Sequence, residues 1–227
     1  PSLWHPDQVA RIIAFVRARC GLHESAEITL EANPGTVHEA LFSAFAKAGV
    51  NRFSIGTQSF RDADLVRLGR IHGAADAHRA VRLAQAVGAR VSLDLIYCLP
   101  GQRWADVAAS VSHAIELAPQ HVSAYTLTIE PDTVLGRMHR AGRFEPMPDD
   151  EQAELIERVT AALAEAGYRQ YEVSSYAPLG AEAIHNSLYW VGSRYLGVGA
   201  GAHSYFPAPG LASAVRRANV KSPGEYM

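Results

Sequence analysis

Cysteine is scarce in this 227-residue chain: Cys20 and Cys98 are the only two. Two thiols cannot staple a small secreted scaffold, and they suit a reducing compartment such as the cytoplasm. Nor can they supply the three or four thiolates of an iron–sulfur cluster within this chain. A surplus of either charge is also missing. Lys plus Arg number 21 against 23 Asp plus Glu, a net charge of −2 with no Lys/Arg run, which excludes a dedicated nucleic-acid binder. No apolar stretch approaches the ~18 residues that a membrane span needs. The longest, around 191–205, is broken by Gly192, Gly197, Gly199 and Gly201. The opening Pro1–Pro6 has neither the charged start nor the apolar core of a signal peptide. Gly-x-Ser-x-Gly, His-Glu-x-x-His and Cys-x-x-Cys do not occur, so hydrolase and zinc-protease readings have little support.

What is present is a globular composition, 48% hydrophobic and 19% charged. Strands and helices alternate along the chain. The spacing predicts strands at Glu27–Glu31, Asn51–Gly56, Arg90–Leu95, His121–Ile129 and Gln170–Val173. Helices are expected at Asp7–Ala18, from Thr36 or Val37 to Lys47, and at Asp62–Leu68, Ala74–Val87, Trp104–Leu117 and Asp149–Ala166, several of them stopped by glycine or proline. Such alternation implies parallel βαβ units, in a doubly wound sheet or a (β/α) barrel.

The polar residues choose between these. Each strand ends in a side chain that an inert sheet would not want: Glu31, Gln58, Asp94, Thr128, and Glu172 or Ser174. Barrels and open α/β sheets both place their sites at the carboxyl ends of strands. Five strands feeding one mouth fit a barrel, and no Gly-x-Gly-x-x-Gly follows a strand to cradle a dinucleotide. A complete barrel needs about 250 residues in eight units, and only four units and a fifth strand are counted here, so a barrel lacking its first strands is expected.

Several residues carry two readings at this point. Glu31, before Asn33-Pro34-Gly35, is a turn-stabilising acid or an acceptor for ligand hydroxyls or an amine. Arg70, in Leu68–His72, interacts with helix-end carbonyls or grips a ligand carboxylate. Asp94, among apolar neighbours, must be paired, whether for structure or for a ligand. Cys98 reads as an inert buried thiol. His185, in His185–Trp190, is a core histidine or a contact for a metal or haem iron flanked by stacking aromatics. The glycine run at 197–201 permits close backbone approach.

The ordered set LEANPGT, NRFSIGTQSF, LGRIH, DLIYCLPGQ, HVSAYTL and HNSLYW resembles the radical S-adenosylmethionine (radical SAM) proteins of the oxygen-independent coproporphyrinogen III oxidase family. Within it, HNSLYW is similar to the His-Asn-x-x-Tyr-Trp motif of the haem-chaperone (HemW-type) branch. The resemblance implies an α/β fold, a partial (β/α)6 barrel lacking its first strands, over 1–175, and over 176–227 a barrel-closing segment and the start of a smaller C-terminal domain. It implies a [4Fe–4S] cluster held by a Cys-x3-Cys-x2-Cys loop, and S-adenosylmethionine as cofactor. Carried over by motif, Glu31 accepts from the cofactor, Gln58 reaches its ribose or methionine part, and Arg70 its carboxylate. Asp94 binds the ribose hydroxyls, and Thr128 lies near the adenine by backbone contact. His185 is the haem contact. No catalytic or metal-ligating residue is assigned in this chain.

The chain departs from the family pattern in three places. The cysteine triad is absent, the family's Gly-Gly-Gly-Thr-Pro-Ser segment survives only as Pro1-Ser2, and Cys98 stands where the family usually has glycine. The expectation is that the cluster loop lies outside this chain, which by itself assembles no cluster. The implied function is a cytoplasmic haem chaperone that takes haem or a porphyrin and delivers haem to respiratory membrane proteins. The alternative is a coproporphyrinogen III oxidase that makes protoporphyrinogen IX by radical decarboxylation, and a weaker third reading is an unrelated barrel enzyme for another small anion.

Overall fold

A computed structural model describes residues 1–207 and 214–227. It divides into two compact units, Pro1–Ala181 and Glu182–Met227.

The first unit opens with α1 (Pro6–Cys20) and then alternates: β1 (Thr29–Ala32), α2 (Glu39–Ala48), β2 (Arg52–Gln58), α3 (Asp62–Arg67), α4 (Ala74–Ala86), β3 (Arg90–Tyr97), α5 (Trp104–Leu117) and β4 (His121–Thr126). It continues through α6 (Val134–Arg140), α7 (Asp149–Glu165), β5 (Arg169–Gln170) and β6 (Ser175–Ala177). The strands form one sheet in the order β1-β2-β3-β4-β6-β5, with β1 to β4 parallel. This is the α/β fold that the alternation predicted, and the helix starts follow local chemistry. Pro6 sits in the first turn of α1, where its missing N–H costs nothing. Gly49 closes α2 with φ 110°, a backbone that side chains avoid.

The fifth strand is corrected. A parallel strand at Gln170–Val173 would have brought Glu172 or Ser174 to the mouth. Instead the chain turns back over residues 171–174, and β6 runs antiparallel to both β4 and β5. Val173 is exposed, so it has no core to pull it into a ladder. The parallel mouth is therefore built from four strands. The fourth ends at Thr126 rather than Ile129, since Pro131 and the Glu130–Thr133 turn take the chain into α6, a helix that the sequence reading did not place. Gly136 is required in α6, because a Cβ there would collide with the Glu130 carbonyl oxygen.

The period of two divides the sheet into contrasting faces. One face carries Leu30, Phe53, Ile55, Val91, Leu93, Leu95, Val122 and Ala124, all buried with the helices. Phe53 meets Phe42 of α2 edge to face at 4.9 Å. The opposite face is polar, with Glu31 on β1, Arg52 and Ser54 on β2, Arg90, Ser92 and Asp94 on β3, and His121 and Ser123 on β4.

At the amino ends of the strands this polar face is closed by pairing. Glu27, almost wholly enclosed, lies 3.1 Å from Arg90 and 3.8 Å from Arg52. His121 bonds through Nδ1 to the Ser92 hydroxyl at 2.7 Å and through Nε2 to the Tyr171 hydroxyl at 2.8 Å. Burial, with Arg52 and Arg90 nearby, pulls the His121 imidazole down to about 3, so it stays neutral.

The second unit holds α8 (Ile184–Trp190), the antiparallel pair β7 (His203–Pro207) and β8 (Ala214–Ala218), and α9 (Pro223–Tyr226). No helix among the described residues is long and apolar enough to cross a membrane.

Truncating Phe53→Ala removes a fully buried ring and its edge-to-face partner contact. It is expected to destabilise the protein by about 3–5 kcal/mol, measured as a shift in urea midpoint at constant slope.

Candidate functional site

At the carboxyl ends of β1, β2 and β3 the polar face opens into a cavity of about 420 Å³. Glu31, Gln58, Arg70 and Asp94 all line it. Four of the residues nominated from the sequence thus share one pocket. Thr128 does not line it: it lies two residues beyond β4 and is exposed.

Asp94 stands centrally on β3. The Ser54 hydroxyl lies 3.3 Å from each carboxylate oxygen, and Ser123 adds a further hydrogen bond. Burial nonetheless dominates and pushes the carboxyl up to about 6, helped by the negative Glu31, while the two serines and Arg52 pull it back. A carboxylate so placed gains from each new donor that a ligand brings.

Gln58 ends β2 with φ 64°, a left-handed backbone for a non-glycine residue. The Thr57 carbonyl accepts from the Ser59 N–H at 2.8 Å across it, a three-residue turn of the strained, positive-φ kind. The turn coincides with a shift in register against β3. Gly56 lies beneath the side chain: a Cβ there would sit 2.9 Å from the Gln58 amide nitrogen. Strain of this kind persists where the surroundings impose it, and it gathers at sites.

Arg70 follows α3, its backbone N–H bonded to the Leu65 carbonyl at 2.9 Å. Its side chain caps no helix end. The guanidinium Nε is buried and has no hydrogen-bond partner. An unmet buried donor costs about 1–3 kcal/mol, which an incoming acceptor would recover. The loop carrying Arg70 is fixed at both ends. Upstream, the buried Asp64 accepts from Ser59, Arg61 and Gln102. Downstream, the buried His72 bonds through Nε2 to the Thr57 carbonyl at 3.1 Å.

The wall beside β1 was not read from the sequence. Ser2 and Thr36 bond hydroxyl to hydroxyl at 3.0 Å, and the Asn33 N–H donates to Ser2 at 3.4 Å. These side chains line the cavity with Glu31. Ser54, by contrast, was legible, since it shares the polar parity of Arg52 on β2.

A carboxylate, an amide, an unmet guanidinium and a half-buried acid suit a zwitterionic ligand with hydroxyls, and the volume suits a nucleoside-sized one. The donor set for an iron–sulfur cluster does not fit. Cys20 is exposed, whereas Cys98 is buried and burial pushes its thiol up to about 11. No group of three metal-ligating side chains exists among the described residues. A second, apolar cavity of about 200 Å³ is lined by Leu68, Leu99, Leu127 and Phe144 and contains none of the nominated residues.

In the second unit, His185 is exposed on α8, which overturns the reading of a core histidine. Its Nε2 lies 2.9 Å from the Tyr189 hydroxyl, one turn on, with the rings edge to face. Tyr189 meets Tyr195 at 4.7 Å, and Tyr195 stacks on Tyr205.

The model of the Radical SAM superfamily matches residues 2–114. The chain is 44% identical over 211 residues to the heme chaperone HemW of Escherichia coli K12, covering 92% of this chain and 54% of that protein. It is 41% identical over 224 residues to the mitochondrial radical S-adenosyl methionine domain-containing protein 1 of Bos taurus, covering 98% and 50%. Thus the chain spans about half the length of the curated relatives it matches. Its fold matches coproporphyrinogen III oxidase (HemN) of Escherichia coli with a TM-score of 0.77 at 19% identity, covering 98% of this chain and 52% of that one.

Two outcomes follow from the strain and the acid. Gln58→Gly is expected to raise stability by about 1 kcal/mol in thermal denaturation, because glycine adopts the positive φ freely. Asp94 is held above its ordinary 3.8, so the folded state binds the proton more tightly than the unfolded one. Its ionisation thus erodes stability as pH rises from about 4 to about 6 and no further. Asp94→Asn is expected to be more stable than wild type by on the order of 2 kcal/mol at pH 7, an advantage that fades by pH 4 when the two are melted side by side.

Proposed function

Since the chain belongs to the radical SAM superfamily, we propose that the cavity at the mouth of β1 to β3 binds S-adenosylmethionine, as part of a haem chaperone of the HemW type. The observation that carries the reading is the meeting of Glu31, Gln58, Arg70 and Asp94 in one cavity, with the Arg70 Nε left unpaired. Arg70 grips the methionine carboxylate, where a planar fork of donors matches two oxygens. Glu31 accepts from the methionine amine. Gln58, aimed by its strained turn, reaches the ribose or methionine part, and Asp94 accepts from the ribose hydroxyls. Thr128, outside the cavity wall, contributes no side chain. When bound, S-adenosylmethionine supplies the adenosyl group on which the superfamily's chemistry draws. Cys20 and Cys98, one exposed and one buried, do not supply the thiolates of a [4Fe–4S] cluster.

Residues 1–175 then serve as the partial barrel, and 176–227 as the barrel-closing segment and the start of the C-terminal region. On α8, His185 is the contact for haem iron, with Tyr189 and Trp190 as aromatic neighbours. The relatives named heme chaperone at 36–44% identity favour this over the oxidase reading, for which the likeness is one of fold. The recipients are respiratory membrane proteins, and the setting is the cytoplasm.

Arg70→Ala is expected to weaken S-adenosylmethionine binding about tenfold or more in calorimetric titration, and equal affinity would refute the site. In a haem titration followed by the Soret band, His185→Ala is expected to lose most of the binding. Turnover of coproporphyrinogen III to protoporphyrinogen IX would favour the oxidase reading instead.

A further inference from the structure

We propose that His72 is a positioning residue that holds two walls of the cavity in register, presenting Gln58 and Arg70 to one ligand; this rests on the cavity reading above. His72 is 3% exposed, although it follows the exposed Ile71 on a loop. Its Nε2 lies 3.1 Å from the Thr57 carbonyl oxygen. A carbonyl only accepts, so Nε2 carries a proton and donates it. Nδ1 is buried and has no partner. The ring therefore keeps one hydrogen bond, to the Thr57 carbonyl, and leaves Nδ1 unpaired.

The single bond is placed where it matters. The Thr57 carbonyl is the oxygen that also closes the three-residue turn over Gln58, accepting from Ser59 at 2.8 Å. His72 thus braces the strained φ of Gln58 from outside the strand. The Thr57 hydroxyl donates to the Asp94 carbonyl at 2.6 Å, which ties the same peptide to β3 beside the cavity acid. Two residues before His72 in the chain stands Arg70, which lines the same cavity. On its other side the loop packs against the β1 wall, where a Cβ on Gly35 would meet His72 Cβ at 3.5 Å and Ile71 at 3.4 Å. One imidazole thereby sets the distance between the amide, the guanidinium and the β1 wall.

The test uses His72→Leu, which keeps bulk but not the donor, and His72→Gln, whose amide N–H can reach the same carbonyl. S-adenosylmethionine is titrated into each, and amide hydrogen exchange is followed at Ser59 and Arg70. His72→Leu is expected to bind about tenfold more weakly, and His72→Gln to recover to within about threefold of wild type. In a Gln58→Ala background the cost of His72→Leu is expected to shrink to about threefold or less, because Gln58, whose turn the His72 bond braces directly, is gone and only the effect through Arg70 is left. A folded His72→Leu that binds like wild type, or an undiminished cost in the Gln58→Ala background, overturns the proposal. If wild type itself binds no S-adenosylmethionine, the cavity reading fails, and exchange alone decides here: faster exchange at Ser59 and Arg70 in His72→Leu supports the brace, and unchanged exchange overturns it. Should His72→Leu not fold, His72→Asn, whose amide falls short of the carbonyl, is read in the same way.

Discussion

A parallel sheet that is apolar on one face and polar on the other must answer for every polar group it removes from water. The apolar face does so by packing on helices. On the polar face many of the groups pair with one another. At the amino ends, Glu27 serves two arginines, and Ser92, His121 and Tyr171 form a chain. An ion pair so enclosed adds little net stability, but losing one member would leave an uncompensated charge. At the carboxyl ends the pairing is incomplete. Arg70 Nε has no partner, and Asp94 holds its proton into the physiological range's lower edge because its serines do not fully offset burial. The site is the part of the polar face that the protein does not satisfy by itself.

Incomplete pairing is useful only when the groups stay where they are. Three devices serve this end. Asp94 sits on a central strand between β2 and β4. Arg70 follows a helix anchored by the buried Asp64. Gln58 is held in a backbone conformation that it would not choose, over a Gly56 that leaves room for its amide. The strain at Gln58 is imposed by tertiary contacts.

Much of this was legible in the sequence. The strand–helix alternation gave the parallel unit, and polar residues at strand ends gave Glu31, Gln58 and Asp94, because residue type and position alone place a side chain at a mouth; Arg70, in the loop after α3, came from the family resemblance, since its spacing read equally as a helix-end contact. Other features depend on tertiary contacts that leave no local mark. Nothing in Thr57-Gln58-Ser59 announces a positive φ, since glutamine is an unusual choice there. His72 looked like part of a motif, and only burial shows what it touches. Ser175–Ala177 is too short to carry a period, so its antiparallel direction went unread, and with it the misplacement of Glu172 and Ser174. The helical setting of His185 rests on a seven-residue helix without a strong start signal.

The contrast between the two thiols has a practical side. Cys98 is shielded and stays protonated at neutral pH, while Cys20 ends α1 in solvent. A maleimide dye or a spin label added to this chain under native conditions would therefore report from one place, the end of the first helix.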